Sequence, residues 1–195
     1  ENDIVYVDSE ILSHCTSQQR NRLLETAVKE WRWGEVFSLL RDSNYSSSVV
    51  EQFITACEQY GRVYVDGETL SHCSTQQLDR LLTLATTKGW WYYVGQVLKA
   101  GGSHEKRVWV IEQACKTADY KNFEDYILPH VDGDFLSQCS TQQLDTLLTT
   151  ATTRGLWHMV HKVLKVVDSH EKRVWAIEQA CSKTANDWSF THYIL

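Results

Sequence analysis

The chain is poor in the features that mark disordered or membrane-spanning segments. It has one proline in 195 residues, and no apolar run approaches the roughly 18 residues of a membrane-spanning helix. Hydrophobic residues make up 43% of the chain, and the formal net charge is -6. This composition excludes disorder and predicts a folded, mildly acidic protein with enough apolar side chains for a core.

Motifs for catalysis and for metal or nucleotide binding are also missing. The sequence has no glycine-rich phosphate loop and no G-x-S-x-G elbow. His14 and His72 each precede a cysteine, but Gln138 stands at the third equivalent place, and no further ligand cluster accompanies them. We therefore expect no enzyme, no cofactor and no metal.

Three copies of one unit fill the chain. The tetrapeptide Leu-Ser-His-Cys at 12–15 returns at 70–73, and as Leu-Ser-Gln-Cys at 136–139. Residues 65–115 match residues 131–181 at about 36 of 51 positions without a gap. We divide the chain into copies at 5–62, 63–129 and 130–195, the first of which lacks about eight residues after Cys57. Because the chain starts without methionine and stops within this pattern, we expect it to be a segment of a longer protein.

Apolar residues recur within each copy at the three- and four-residue spacing of helices. Helix A carries a stripe such as Leu78, Leu81, Leu82 and Ala85, and it starts three times with a hydroxyl residue followed by glutamine, the pattern of a capping box. Gly89 and Gly155 predict its end. Helices B and C follow, then a fourth helix D around 123–128 and 190–195. We expect an all-α array of helical hairpins with no sheet beyond a possible short pairing at 5–7 or 63–65.

This plan resembles the helical-hairpin repeats. The segment 81–102 looks like the two helices of an ankyrin repeat, but it lacks the Thr-Pro-Leu-His turn, and the pattern is equally similar to tetratricopeptide or pentatricopeptide hairpins. The resemblance is to an architecture, an α-solenoid, and it transfers no binding residue.

The cysteines occur twice per copy. The first precedes helix A and the second lies near the end of helix C, so a helix of about 15 residues should hold them about 22 Å apart, too far for a disulfide. The first cysteine of the next copy should be equally distant. We expect small, buried, reduced thiols and an intracellular location, cytoplasmic or nuclear.

Basic residues cluster at the start of helix C. The segment Ser-His-Glu-Lys-Arg-Val-Trp is identical at 103–109 and 169–175. Cations close to a helix start can hold a phosphate or a carboxylate, although a solvated, capped helix start explains the same pattern. The candidate anion-binding residues are Lys99, His104, Lys106, Arg107, Lys165, His170, Lys172 and Arg173.

Aromatic residues concentrate at the turns between helices A and B. Trp33, Trp91 and Trp157 occupy equivalent positions and are expected in the core, whereas solenoids vary the residues of their binding face. The candidate partner surface is therefore Trp90, Tyr92, Tyr93, His158 and Met159.

These patterns favour a non-catalytic scaffolding module whose partner is a protein, a peptide or another copy of the array. The alternative is an RNA-binding helical repeat that uses the basic starts of helix C together with the aromatic turns. The net charge of -6 counts against RNA without excluding it.

Overall fold

A computed structural model of the chain describes residues 14–167 and 169–183. Within these ranges the protein is all-helical, with 12 α-helices and no strand. The first six helices are α1 (Ser17–Lys29), α2 (Trp33–Asp42), α3 (Ser47–Tyr60), α4 (Gly67–Ser71), α5 (Thr75–Thr87) and α6 (Trp91–Ala100). The others are α7 (His104–Thr117), α8 (Tyr120–Asn122), α9 (Gly133–Ser137), α10 (Thr141–Arg154), α11 (Trp157–Val166) and α12 (His170–Lys183). The possible pairing at 63–65 does not form, and the one at 5–7 lies outside the described residues.

The predicted capping boxes are confirmed at the starts of α1, α5 and α10. Thr16, Ser74 and Ser140 each accept a hydrogen bond from the backbone amide of the glutamine three residues later, whose side chain accepts one from the cap's own amide. Two amides that would otherwise lack a partner are satisfied at each start. The predicted inner face of α5 is also confirmed, since Leu78, Leu81, Leu82 and Ala85 are all buried, whereas Trp33 and Leu164, which were expected to face the core, are half-buried.

Two short helices were missed by the sequence analysis. Asp66 accepts a hydrogen bond from the amide of Thr69 at 2.8 Å and starts α4. Asp132 accepts one from the amide of Phe135 at 2.7 Å and starts α9. An aspartate before a short apolar turn is a usual amino-terminal cap, so the pattern was present in the sequence.

The predicted helix D of the second copy is not one regular helix. The chain forms α8, a π-helical turn (Phe123–Ile127) and a 3-10 turn (Leu128–His130). Pro129 has no amide hydrogen to continue the hydrogen bonding of the helix, and it stands in the first turn of the 3-10 segment, after which the helix ends. The helix predicted in the third copy lies outside the described residues.

The helices pack in a fixed order of neighbours. Each of α1, α3, α5, α7, α10 and α12 contacts the next in that order. Helices α2, α6 and α11 lie against α1, α5 and α10 respectively, and α6 also contacts α4 and the π-helical turn. One buried apolar cluster runs through all of these contacts and includes Phe53, Phe123 and Phe135.

Gly95 allows the closest approach in this packing. It lies inside α6, where a β-carbon would be 2.7 Å from the carbonyl oxygen of Tyr126 and 3.2 Å from its β-carbon. No side chain fits that space without moving the backbone of the π-helical turn. Gly95 therefore sets how near Tyr126 comes to α6.

All six cysteines are present as thiols. Cys57, Cys115 and Cys139 are buried as expected, but the side chain of Cys181 is exposed, which contradicts the expectation of uniformly buried thiols. Burial raises the pKa of Cys115 to about 12. Burial, and then the nearby Glu58 and Cys73, raise the pKa of Cys57.

Candidate functional site

An aromatic groove lies where the turns before α2 and α6 meet the π-helical turn. It has a volume of about 380 Å³. Its lining residues, which define the groove, are Trp31, Val63, Trp90, Trp91, Tyr92, Tyr93, Asn122 and Tyr126. Six of these eight side chains are aromatic, and the eight together come from four separate segments of the chain.

The rings of the groove belong to a continuous set of aromatic contacts. Trp31 meets Trp33 edge to face at 6.0 Å between centroids, and Trp33 stacks on Tyr64 at 5.5 Å. Tyr64 meets Tyr93 at 5.6 Å. The set continues from Tyr93 to Tyr92 at 5.2 Å and from Tyr92 to Tyr126 at 5.5 Å. Such pairs stabilise one another beyond the area they bury, so the rings are held in place.

These held rings remain open to solvent to an unusual degree. Trp31 is 53% exposed, Tyr92 50% and Tyr64 41%. Adjoining exposed aromatic side chains of this size are uncommon on a surface that contacts only water, and they typically mark a binding site.

The backbone of Trp31 adds an independent observation. Its φ is 63°, in the left-handed region. The equivalent residues of the other copies, two positions before Trp91 and Trp157, are Gly89 and Gly155, with φ of 71° and 70°. Glycine adopts this conformation freely, whereas a residue with a β-carbon loses about 1 to 2 kcal/mol in it. The first copy thus places an exposed tryptophan at a position where its fold favours glycine.

The polar groups of the groove are mostly hydrogen-bond donors. Indole N–H groups, tyrosine hydroxyls and the Asn122 amide, which also donates to Asp119, line it, and no carboxylate is found among the lining residues that the structure describes. Burial, with Tyr64 and Tyr92 nearby, raises the pKa of Tyr93, so its hydroxyl stays protonated at neutral pH. The Arg62 guanidinium lies 4.5 Å from the ring centroid of Trp31. Lys88 is beside Gly61, where an added β-carbon would be 3.2 Å from the Lys88 Nζ.

The predicted partner surface is placed only in part by the structure. Trp90, Tyr92 and Tyr93 all line the groove. Met159 is fully buried, so its prediction as a contact residue is wrong. His158 is half-buried, and its Nδ1 lies 2.8 Å from a carboxylate oxygen of Glu124. Where the second copy has Tyr92 and Tyr93, the third copy therefore has one side chain that pairs with Glu124 and one that packs in the core.

Several residues of the groove were missed as candidates. Val63, Asn122 and Tyr126 line it, and Tyr64 joins its rings to those of α2. Trp31 belonged to the aromatic turns in the sequence but was not chosen as a contact residue. Trp31 stands at the position that Gly89 and Gly155 occupy in the other two copies, and this sequence difference could have identified it.

The candidate anion site at the start of α7 already holds a carboxylate of the protein. Asp79 accepts hydrogen bonds from the Ser103 amide at 2.8 Å and from the Ser103 hydroxyl at 2.7 Å. Gly102 leaves this approach open, since a β-carbon there would be 3.1 Å from the same carboxylate. The negative charge that suits a helix start is therefore supplied internally.

The cations of that segment point to different neighbours. The Lys106 Nζ lies 4.6 Å from the ring centroid of Trp109. Arg107 donates to the carbonyl oxygen of His130 at 3.4 Å and lies over the ring of Phe135, against which His104 also packs. His104 Nε2 and Arg107 Nε are buried without a hydrogen-bond partner, for which we have no physical account. Lys99 is exposed at the far end of α6 from Tyr92.

The equivalent cations of the third copy are likewise dispersed. Lys172 pairs with Asp145, the counterpart of Asp79. Arg173 donates to the carbonyl oxygen of Leu164 at 3.5 Å. Lys165 and His170 are exposed. The eight candidate residues therefore form no single open anion site in the described ranges.

A larger depression, of about 620 Å³, follows α10. All of its lining residues lie on one face of that helix: Thr141, Gln142, Asp145, Thr146, Thr149 and Thr150. Among the described residues, neither aromatic side chains nor groups from other elements line this depression, so the aromatic groove is the better candidate site.

Within residues 14–167 and 169–183, no three His, Cys, Asp or Glu side chains are grouped so that they could hold a metal ion. No helix of these ranges is long and apolar enough to cross a membrane. Comparison of the chain with protein-family models, curated proteins and solved structures finds no significant match.

Proposed function

We propose that this chain is a non-catalytic, protein-binding segment of an α-solenoid and that its partner is a peptide or an extended segment of another protein. The solenoid is supported by the sequence repeat together with the order of contacts from α1 through α3, α5, α7 and α10 to α12. Stacked repeats of this kind bury a continuous core and leave their turns free to bind.

One observation carries the binding function. Trp31 is exposed, is held in the left-handed conformation and borders the groove. Strained residues persist where the surrounding structure holds them, and they concentrate at functional sites. An exposed tryptophan contributes little to the core, so contact with a partner best explains why it stands where glycine fits.

Aromatic rings also stack on the bases of single-stranded RNA. RNA additionally needs a row of cations along its phosphates. Arg62 and Lys88 lie together on one side of the groove, and the basic starts of α7 and α12 are occupied as described above. Tyr92 and Lys99 stand near opposite ends of α6, a helix of 10 residues or about 15 Å. These facts favour a protein partner. An interaction inside a reducing, intracellular compartment is part of the same proposal.

The test uses a displayed library of random peptides selected on the 195-residue chain. Selected peptides are titrated against the wild type and against Trp31→Gly, Tyr92→Ala and Tyr120→Ala. Tyr120 is the matched control because it is 51% exposed, like Tyr92, but does not line the groove. We expect Trp31→Gly and Tyr92→Ala to weaken binding about tenfold or more, as for interface hot spots, and Tyr120→Ala to leave it unchanged.

Stability separates a lost contact from a lost fold. Trp31→Gly relieves about 1 to 2 kcal/mol of backbone strain, which offsets the loss of its ring contacts and the added freedom of the unfolded chain. We expect the free energy of unfolding to change by less than about 1 kcal/mol. Equal binding by all three variants, or tight binding of oligouridine RNA that depends on Tyr92, would contradict the proposal.

A further inference from the structure

Resting on the proposed binding function, we infer that the aromatic groove takes a proline-rich segment in the polyproline II conformation, with an acidic residue at the end nearest Arg62.

The rings of the groove select among the ways in which proteins hold extended or helical segments. The described residues contain no strand, so no sheet edge is offered to a partner strand. A partner helix docks its apolar face into a hydrophobic groove with anchors at helical spacing, whereas flat aromatic faces receive the rings of prolines. Six aromatic side chains among the eight lining residues favour the proline-rich ligand.

The hydrogen-bonding groups of the groove match the same ligand. A polyproline II segment has no internal hydrogen bonds, so its carbonyl groups are available, and proline has no backbone N–H to donate. It therefore needs donors. Indole N–H groups and tyrosine hydroxyls supply donors, and none of the described lining residues is a carboxylate. The Asn122 amide already donates one hydrogen bond to Asp119.

Both partners would lose little conformational freedom. The ring centroid of Tyr92 lies 5.2 Å from that of Tyr93 and 5.5 Å from that of Tyr126, and these contacts hold the groove in shape before a ligand binds. The polyproline II helix is extended even in the free peptide. Binding between two pre-ordered surfaces retains more of its contact energy.

Charge sets the direction of the ligand. Arg62 lies over Trp31 at one end of the groove, and Lys88 stands beside Gly61 next to it. Lys88 is exposed, so it is available to a ligand. An acidic residue before or after the prolines would be attracted to this pair, despite the negative net charge of the whole chain.

The experiment compares three peptides by isothermal titration calorimetry with the 195-residue chain. The first has two glutamates followed by eight prolines, the second has alternate prolines replaced by alanine, and the third lacks the glutamates. We expect the first to bind best and the second to bind about tenfold more weakly, because its extended conformation is less populated. Tyr92→Ala should weaken the binding of the first peptide, whereas Tyr120→Ala should not.

Lys88→Gln tests the direction of binding. This substitution should weaken the binding of the peptide with glutamates and leave the affinity for the peptide without them unchanged. Lys99→Gln, at the other end of α6, is the matched control and should affect neither.

Two outcomes separate this inference from the proposed function. If the alanine-containing peptide binds as well as the all-proline one, or if library-selected peptides depend on Tyr92 but contain no proline, the ligand class is wrong and the groove still binds peptides. If no peptide from either source binds in a Tyr92-dependent way, both the ligand class and the proposed function are wrong.

Discussion

Replacing Gly95 by alanine is expected to destabilise the protein although alanine is the better helix former. A β-carbon at this position would be 2.7 Å from the carbonyl oxygen of Tyr126 and 3.2 Å from its β-carbon. A main-chain oxygen cannot rotate away as a side chain can, so the backbone of the π-helical turn must move. Overpacking of this kind costs about 2 to 3 kcal/mol, and the greater helix propensity of alanine offsets about 1 kcal/mol.

The net loss is therefore about 1 to 2 kcal/mol of unfolding free energy. Urea titration followed by circular dichroism measures it, and the melting temperature should fall by about 3 to 6 °C for a chain of this size. Gly67→Ala is the matched control, because nothing lies within 4 Å of a β-carbon there. It should change the stability by less than about 0.5 kcal/mol.

A second comparison tests the cause. In a Tyr126→Ala background, Gly95→Ala should cost nearly as much as in the wild type, because the atoms that obstruct it are the main chain and β-carbon of residue 126. If Gly95→Ala proves as stable as the wild type or more so, helix propensity outweighs the close approach, and our account of how α6 positions Tyr126 is refuted.

Three further predictions concern other parts of the fold. Trp91→Ala should lower the free energy of unfolding by about 3 to 5 kcal/mol and Trp90→Ala by less than half of that, since Trp91 is 7% exposed and Trp90 is only half-buried. Equal losses of stability in urea titrations of the two variants would contradict this prediction. Alkylation of the native protein followed by mass spectrometry should modify the exposed Cys181 first, and Cys57 and Cys115 last, because both are fully buried and burial raises the pKa of each thiol. A disulfide in the untreated protein would contradict this prediction. A hydrogen bond from Arg80 lowers the pKa of Glu51 below its ordinary 4.5. The stability that this ion pair contributes should therefore be present above pH 4.5 and be lost as the pH falls through the lowered pKa. If an Arg80→Gln variant loses stability in acid over the same pH range as the wild type, the pair contributes nothing.

Local sequence patterns predicted most of the helices. A cap depends on hydrogen bonds between residues three apart, and an apolar face depends on spacings of three and four, so both can be seen in the chain itself. The same reasoning would have found α4 and α9 from Asp66 and Asp132. Local patterns could not predict the π-helical turn. That turn packs against α6, and the short distance between the two depends on Gly95.

The binding surface was predicted less well than the helices. Trp90, Tyr92 and Tyr93 line the groove, but Met159, chosen by the same reasoning, is buried. A difference between copies shows that a position tolerates change. The sequence difference does not show whether another helix packs over that position, and this packing decides whether the side chain is buried.

By itself the sequence determined the all-helical class, the starts of the long helices and the faces that they bury. These follow from hydrogen bonds and apolar spacing within about four residues. Only the tertiary structure brought Asp79 to the start of α7, 24 residues further along the chain, and so occupied the predicted anion site. It also assembled the aromatic groove from residues near 31, 63, 90 and 126. Contacts across such distances are set by how the helices pack, because the spacing of residues along one segment does not specify which turn of another segment will face it.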